Sequence, residues 1–160
     1  MTTTTLRSSL STSPRWDKRF LELASHVASW SKDPSTQCGA IIVDRNRRVI
    51  SMGYNGFPVG VDDDPDRYDI RAMKYKFIVH AELNAILNCP NNMDNATLYV
   101  SPLVPCCECA KAIIQSGITR VVSNYPTAEQ KGRWGESWLA AMLMFGESEV
   151  QVDLIEGEQV

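Results

Sequence analysis

Apolar residues near the start of the chain recur three or four positions apart, which is the spacing of one helix face. These residues are Trp16, Phe20, Leu23, Val27 and Trp30. Ser13 followed by Pro14 is typical of a helix start, because serine is a common N-cap and proline suits the first helical position. The pattern therefore predicts a helix from Pro14 that ends before Asp33-Pro34-Ser35 and buries one face.

The rest of the chain alternates short β-branched runs with longer amphipathic segments. Strands at 39–43 and 49–53 around a polar turn at 44–48 predict a hairpin. After a loop rich in glycine, proline and aspartate, the pattern predicts helices at 80–88, 106–116 and 134–144 and strands at 97–101, 119–123 and 149–155. This order predicts an α/β fold with one mixed sheet and helices on both faces. Right-handed crossovers then place the second and third helices on one side of the sheet, where their N-terminal ends can meet.

Length and composition fit one globular domain. The 160 residues are 44% apolar and 22% charged, and no apolar run approaches the length of a membrane span. We expect a Ser/Thr-rich tail at 1–13, whose composition also resembles a transit peptide, and a single domain at 14–160. The net charge of −3 argues against a nucleic-acid partner. The lack of an apolar secretory segment favours the cytoplasm of a cell or of an infected host.

Three of the five cysteines lie within four positions, which favours metal binding over a disulfide framework. Cys106 and Cys109 are spaced i, i+3, so both sulfurs face one point at the first turn of a helix. His80, at the start of another predicted helix, completes a set of two thiolates and one imidazole that suits Zn²⁺. We therefore predict a zinc site of His80, Cys106 and Cys109, with Cys107 in a packing role.

Glu82 follows His80 by two residues, so in a helix its side chain points away from the metal ligand and lies beside the metal. Two thiolates and a neutral imidazole cancel the 2+ charge of zinc, so that a bound water loses a proton near pH ~7 and Glu82 can carry it. The alternative is a structural zinc site with a fourth ligand from Cys38 or Cys89, which leaves Glu82 without a role. We interpret Cys38, Cys89 and His26 as packing residues.

Three segments of the chain resemble the deoxycytidylate deaminases, a branch of the cytidine deaminase superfamily. They are Gly53-Tyr54-Asn55-Gly56-Phe57-Pro58-Val59-Gly60, His80-Ala81-Glu82-Leu83-Asn84-Ala85-Ile86-Leu87 and the segment 105–117. The last two together contain the H-x-E…P-C-x-x-C signature of zinc deaminases. The resemblance covers about residues 15–125. It implies a three-layer α/β/α sandwich around a five-stranded mixed sheet, assembled as a hexamer.

This resemblance implies the hydrolysis of dCMP to dUMP and ammonia, which feeds thymidylate synthesis. Glu82 takes a proton from the zinc-activated water and delivers protons to N3 and to the leaving amine. The backbone N–H of Ala81 is expected to donate to the pyrimidine O2, and Tyr125 or Trp134 to lie against the base. Asn55 is expected to contact the deoxyribose, although an asparagine before glycine is also common in turns.

The resemblance also implies regulation, with dCTP as activator and dTTP as inhibitor in the presence of Mg²⁺. The expected effector site is formed by Gly53, Tyr54, Asn55 and Gly56. The 5′-phosphate of the substrate requires a basic partner, for which the candidates are Arg15, Lys18, Arg19, Arg71, Lys74, Lys76 and Arg120. A nucleoside or RNA deaminase of the same superfamily, and a zinc-stabilised binding module without catalysis, are the alternative functions.

Overall fold

The computed structural model describes residues 13–156, which form six helices and five strands. The helices are α1 (Pro14–Ala28), α2 (Pro65–Asp69), α3 (Arg71–Phe77), α4 (Ala81–Leu87), α5 (Cys107–Gln115) and α6 (Ala128–Glu147). The strands are β1 (Gly39–Val43), β2 (Val49–Tyr54), β3 (Thr97–Ser101), β4 (Arg120–Asn124) and β5 (Gln151–Ile155). None of these helices is both long and apolar enough to cross a membrane. The predicted tail lies outside the described residues apart from Ser13, so the predicted domain boundary stays a prediction.

The five strands form one mixed sheet in the order β2-β1-β3-β4-β5. Strand β1 pairs antiparallel with β2 on one side and with β3 on the other. Strands β3, β4 and β5 are parallel, and their connections run through α5 and α6. The predicted hairpin, the five strands and the mixed sheet are therefore confirmed.

Helices cover both faces of the sheet. Alternate residues of each strand point to opposite faces and pack into two separate apolar cores, one beneath each helix layer. Helix α1 packs on one face, where Ile41 and Val122 are fully buried. Helices α4, α5 and α6 pack on the other face, against residues such as Ile42 and Val121. This alternation follows from the two-residue period of a strand. It confirms the predicted three-layer α/β/α sandwich, and it places α4 and α5 on the same side of the sheet.

The boundaries of three regions differ from the prediction. Helices α2 and α3 occupy part of the predicted loop, and α3 buries none of its residues, so burial imposes no apolar stripe on its sequence. Helix α6 begins at Ala128, before the predicted residue 134, because Thr127 and Gln130 form a reciprocal capping box. Helix α1 begins at Pro14 as predicted but ends at Ala28, which leaves Trp30 outside it and 49% exposed.

Candidate active site

The N-terminal ends of α4 and α5 meet at a cluster of three metal-binding side chains. His80 is the N-cap of α4 and Cys106 is the N-cap of α5. The Nδ1 atom of His80 lies 3.4 Å from the sulfur of Cys106 and 3.4 Å from that of Cys109. The ligand atoms of the three residues all lie within 4.8 Å of one another. The structure thus brings together the three residues predicted as metal ligands.

The donor set of this cluster fits Zn²⁺. Two sulfurs and one imidazole nitrogen are ligands that zinc prefers, and three protein ligands are the number typical of catalytic zinc sites. Among the described residues, the cluster contains no further cysteine, histidine or acid. Cys107 stands outside it, and its backbone N–H donates a 2.9 Å hydrogen bond to the Ser137 hydroxyl of α6. A structural site with a fourth ligand from Cys38 or Cys89 finds no support in this geometry.

The electrostatics of the cluster favour a thiolate. The hydrogen bond from the Cys109 thiol, together with His80, lowers the pKa of Cys106 to about 4, although burial opposes this shift. The same hydrogen bond, in which Cys109 is the donor, raises the pKa of Cys109. A bound divalent cation deprotonates coordinating thiols outright, so this division between the two sulfurs belongs to the metal-free cluster.

Glu82 lies inside the cavity that opens beside the cluster, and only 5% of it is exposed. Burial raises the pKa of its carboxyl, while the nearby His80 partly offsets this effect. A carboxyl in such a site holds a proton more readily than one in water, which suits a group that accepts and releases a proton. Glu82 is not part of the group of metal-binding atoms. In this geometry Glu82 therefore lies outside the set of candidate ligands.

A further part of the cavity lining comes from the loop after α1 and from Asn55, directly after β2. The side chain of Asn55 lines the cavity and is buried. Its Oδ1 accepts a 2.8 Å hydrogen bond from the Cys38 N–H, and its Nδ2 donates a 2.8 Å hydrogen bond to the Thr36 carbonyl. These bonds fix the amide in one orientation. Burial raises the pKa of the neighbouring Cys38 thiol to about 12, which keeps it neutral.

One face of α6 supplies a cavity wall that the sequence pattern predicts only at Trp134. The lining residues from this helix are Gln130, Lys131, Arg133, Trp134 and Trp138. Gln130, Trp134 and Trp138 follow one another at i, i+4 spacing, a signal visible in the sequence once the helix start at Ala128 is known. Of the two aromatic candidates for the base, Trp134 lines the cavity. Tyr125 is 56% exposed and is not among the lining residues.

The candidate phosphate-binding residues fall into three groups. Arg71 and Lys74, from α3, line the cavity, and Lys74 forms an ion pair with Asp33. Arg120 is buried on the α1 side of the sheet, where its guanidinium binds Asp17 and Asp153. Four further candidates, like Arg120, are not among the cavity-lining residues: Arg15, Lys18, Arg19 and Lys76.

The four residues predicted to bind an effector sit where β2 passes α4. Gly53 packs directly on the α4 backbone, with Ala81 and Ala85 as its neighbours. Tyr54 is 42% exposed at the end of the edge strand. Gly56 exchanges two backbone hydrogen bonds with Val79, of 3.1 and 2.8 Å. The loop is thus tied to the segment that leads into His80.

Relatives of this chain share most of its length. Residues 14–124 match the family described as the cytidine and deoxycytidylate deaminase zinc-binding region. An uncharacterized deaminase of Aliivibrio fischeri is 44% identical over 138 residues, which are 86% of this chain and 92% of that protein. The deoxycytidylate deaminase of Mus musculus is 42% identical over 137 residues, 81% of this chain and 74% of that protein. A probable deoxycytidylate deaminase of Caenorhabditis elegans is 46% identical over 109 residues, 65% of this chain and 54% of that protein, so this chain spans about half of it.

A solved structure shares the fold. The dCMP deaminase from cyanophage S-TIM5, crystallised in complex with dCMP and dUMP, gives a TM-score of 0.67 at 20% identity. The alignment covers 90% of this chain and 99% of that one. This agreement supports the three-layer architecture. The family match includes all three cluster residues, whereas α6 lies beyond its last matched residue, 124.

Proposed function

The chain belongs to the cytidine and deoxycytidylate deaminase family, and from this premise we propose that it hydrolyses dCMP to dUMP and ammonia. The observation that carries the proposal is the buried Glu82 carboxyl inside the cavity beside the His80, Cys106 and Cys109 cluster. The names of the mouse and nematode relatives, and the nucleotides in the cyanophage enzyme, support dCMP as the substrate. The dUMP produced by this reaction is proposed to feed thymidylate synthesis.

We propose that His80, Cys106 and Cys109 hold a catalytic Zn²⁺. Two thiolates and one neutral imidazole balance the charge of the ion, and the three donors lie within ligand reach of one point. When bound, zinc acts as a Lewis acid that lowers the pKa of a coordinated water to about 7. The N-terminal ends of α4 and α5 add partial positive charge that favours the thiolate forms.

The role of Glu82 follows from its buried position in the cavity beside the three candidate ligands. Its carboxylate accepts a proton from the attacking water as a C–O bond forms at C4 of the cytosine. The carboxyl then delivers that proton to N3, and a second transfer through Glu82 protonates the amino group. The C4–N4 bond breaks and ammonia leaves, with C4 now a carbonyl. Burial raises the carboxyl pKa, so Glu82 holds a transferred proton more readily than a carboxyl in water does.

Ala81, Asn55 and one aromatic residue are proposed to orient the nucleotide. The backbone N–H of Ala81 belongs to the first turn of α4, where it has no partner within the helix, and is assigned to the pyrimidine O2. Asn55 is assigned to the deoxyribose, because its buried amide lines the cavity in a fixed orientation. Tyr125 and Trp134 are the two candidates to lie against the cytosine base. Of these two, Trp134 lines the cavity.

Regulation by nucleotides is proposed at Gly53, Tyr54, Asn55 and Gly56. We propose that dCTP with Mg²⁺ activates the enzyme and that dTTP with Mg²⁺ inhibits it. The support is the resemblance of this loop to the effector site of the family, and its backbone link to the segment before His80. Rates measured against dCMP concentration, with each effector added, test this. Curves unchanged by both effectors would remove the regulatory proposal and leave the catalytic one.

A hexameric assembly in the cytoplasm is proposed on the same family resemblance. The edge strand β2 and the adjoining α4 expose apolar side chains that an interface between subunits can cover, among them Met52, Tyr54 and Leu87. Light scattering coupled to size-exclusion chromatography measures the mass in solution. A monomer at micromolar concentration would overturn the hexamer.

The substrate is tested with the purified, zinc-loaded protein. Incubation with dCMP is expected to release ammonia and to reduce the cytosine absorbance. Cytidine and a cytidine-containing RNA serve as competing substrates in parallel reactions. Turnover of either of these without turnover of dCMP would replace the proposal with a nucleoside or RNA deaminase. Zinc binding with no turnover of any of them would favour a binding module.

A further inference from the structure

Three exposed cationic side chains line the active-site cavity. Arg71 comes from the start of α3, and Lys131 and Arg133 come from the first two turns of α6. All three are exposed, in contrast to the buried Asn55 and Glu82 deeper in the cavity. Helices α3 and α6 are far apart in sequence, and both therefore contribute exposed positive charge to the cavity lining.

These charges are not neutralised within the described part of the chain. No carboxylate of residues 13–156 forms an ion pair with Arg71, Lys131 or Arg133. The cavity has two acidic lining residues, of which Asp33 is paired with Lys74 and Glu82 lies inside. The opening thus has an excess of positive charge in a chain whose net charge is −3.

Arg133 is held in place by an aromatic neighbour. Its guanidinium carbon lies 4.6 Å from the ring centroid of Trp134, and both side chains line the cavity. A guanidinium stacked on an indole keeps its N–H groups free to bind an anion. The arrangement suits a phosphate monoester, whose oxygens accept hydrogen bonds from arginine and lysine side chains.

We propose that Arg71, Lys131 and Arg133 form the subsite for the 5′-phosphate and make the enzyme selective for nucleotides over nucleosides. This inference rests on the proposed cytosine deamination at Glu82. Lys131 and Arg133 lie on α6, beyond residue 124 where the family match ends. Lys74 is excluded from the subsite because Asp33 and Ser35 occupy its ammonium group.

The test compares dCMP with deoxycytidine as substrates of the zinc-loaded protein. We expect Lys131→Gln combined with Arg133→Gln to lower kcat/KM for dCMP by about 10- to 100-fold, mainly through KM, because charged hydrogen bonds to the phosphate are lost. The value for deoxycytidine should change by no more than about twofold, since deoxycytidine has no phosphate to bind. Arg71→Gln should act in the same direction. Inorganic phosphate should compete with dCMP in the wild type and much less in the double variant.

Two control variants make the comparison specific. Lys76→Gln removes an exposed cation from α3 that does not line the cavity, and should leave both substrates unaffected. Lys131→Arg combined with Arg133→Lys keeps both charges and should retain most of the selectivity.

Added salt should raise KM for dCMP in the wild type and less so in the double glutamine variant.

The outcomes separate this inference from the proposed reaction. An equal loss for dCMP and deoxycytidine, or no loss for dCMP, would overturn the phosphate subsite while leaving the deaminase intact. If the wild type deaminates neither compound, the proposed function fails. The subsite is then decided by dCMP binding, followed through tryptophan fluorescence: weaker binding in the double variant supports it, and equal binding overturns it.

Discussion

The ammonium group of Lys74 lies 2.8 Å from a carboxylate oxygen of Asp33, with 12% and 1% of the two side chains exposed. The other oxygen of Asp33 accepts hydrogen bonds from the backbone N–H groups of Ser35 and Thr36. The pair therefore ties α3 to the loop that holds Asn55 in place, across one wall of the cavity. Its role is to fix this wall.

Replacement of Lys74 by methionine is expected to destabilise the protein by about 3 kcal/mol, because Asp33 is left as a buried charge without a cation. Urea unfolding followed by tryptophan fluorescence measures the loss. Lys76→Met, in the same helix but exposed, should change the free energy of unfolding by less than about 0.5 kcal/mol. Equal effects of the two substitutions would show that the Lys74–Asp33 pair has no stabilising role.

Gly53 is a packing residue between β2 and α4, whatever its role in regulation. A Cβ atom at this position would lie 2.6 Å from the Ala81 carbonyl oxygen, and closer to the Ala85 nitrogen. Gly53→Ala is therefore expected to push strand and helix apart and to lower the free energy of unfolding by about 1–3 kcal/mol. The matched control is Gly56→Ala, where a Cβ meets nothing within 4 Å. A Gly53 variant as stable as the Gly56 variant would contradict this packing.

The metal cluster and the sheet could be predicted because their signals are local. The i, i+3 spacing of Cys106 and Cys109 fixes their common direction on any helix, and each strand shows its own β-branched run. Only the contact with His80 required a long-range argument, which the crossover rule supplied. The prediction succeeded where chain geometry leaves few alternatives.

The cavity walls could not be predicted in the same way, because tertiary contacts determine them. Lys74 and Asp33 are 41 positions apart, and nothing in the local sequence of either residue identifies its partner. Helix α3 buries none of its residues, so its sequence lacks the constraint that makes helices recognisable. The α6 wall was missed because the capping box of Thr127 and Gln130 was not recognised. Arg120 appeared as a candidate for the phosphate, although it is buried against Asp17.

The Asp17–Arg120 pair is expected to make the free energy of unfolding fall as the pH is lowered into the acidic range. Burial alone would raise the pKa of Asp17, but hydrogen bonds from Arg120 and Tyr99 lower it below its usual value. The unfolded chain therefore binds a proton more readily than the folded one. This contribution is present above the unfolded pKa of 3.8 and is lost as the pH falls through the lower pKa of the folded state. Asp17→Asn should cost about 3 kcal/mol at pH 7 and clearly less at about pH 2.5.

Urea unfolding at the two pH values measures this difference. Glu22→Gln removes an exposed acid from the same helix and should change stability by less than about 0.5 kcal/mol at either pH. A loss for Asp17→Asn that is the same at pH 7 and at about pH 2.5 would mean that the carboxylate form of Asp17 contributes nothing to the pair.

Glu82→Gln is expected to separate proton transfer from metal binding. The amide cannot accept and release a proton, so kcat for dCMP should fall by at least about 100-fold. Zinc content, measured by atomic emission on the purified protein, should stay at the wild-type level, because Glu82 lies outside the group of ligand atoms. Cys106→Ala should lose both zinc and activity, since it removes one of three donors.

Glu108 offers a matched control for Glu82 within the same signature. It is exposed on α5 and pairs with Lys111 at 2.8 Å, so Glu108→Gln should keep both zinc and activity. A chelator should inactivate the wild type, and added Zn²⁺ should restore it; the same treatment should leave the Glu82 variant inactive in both states. Full activity of Glu82→Gln would remove Glu82 as the proton carrier. Loss of zinc from that variant would instead make the carboxylate a ligand, and the cluster would then need four protein donors.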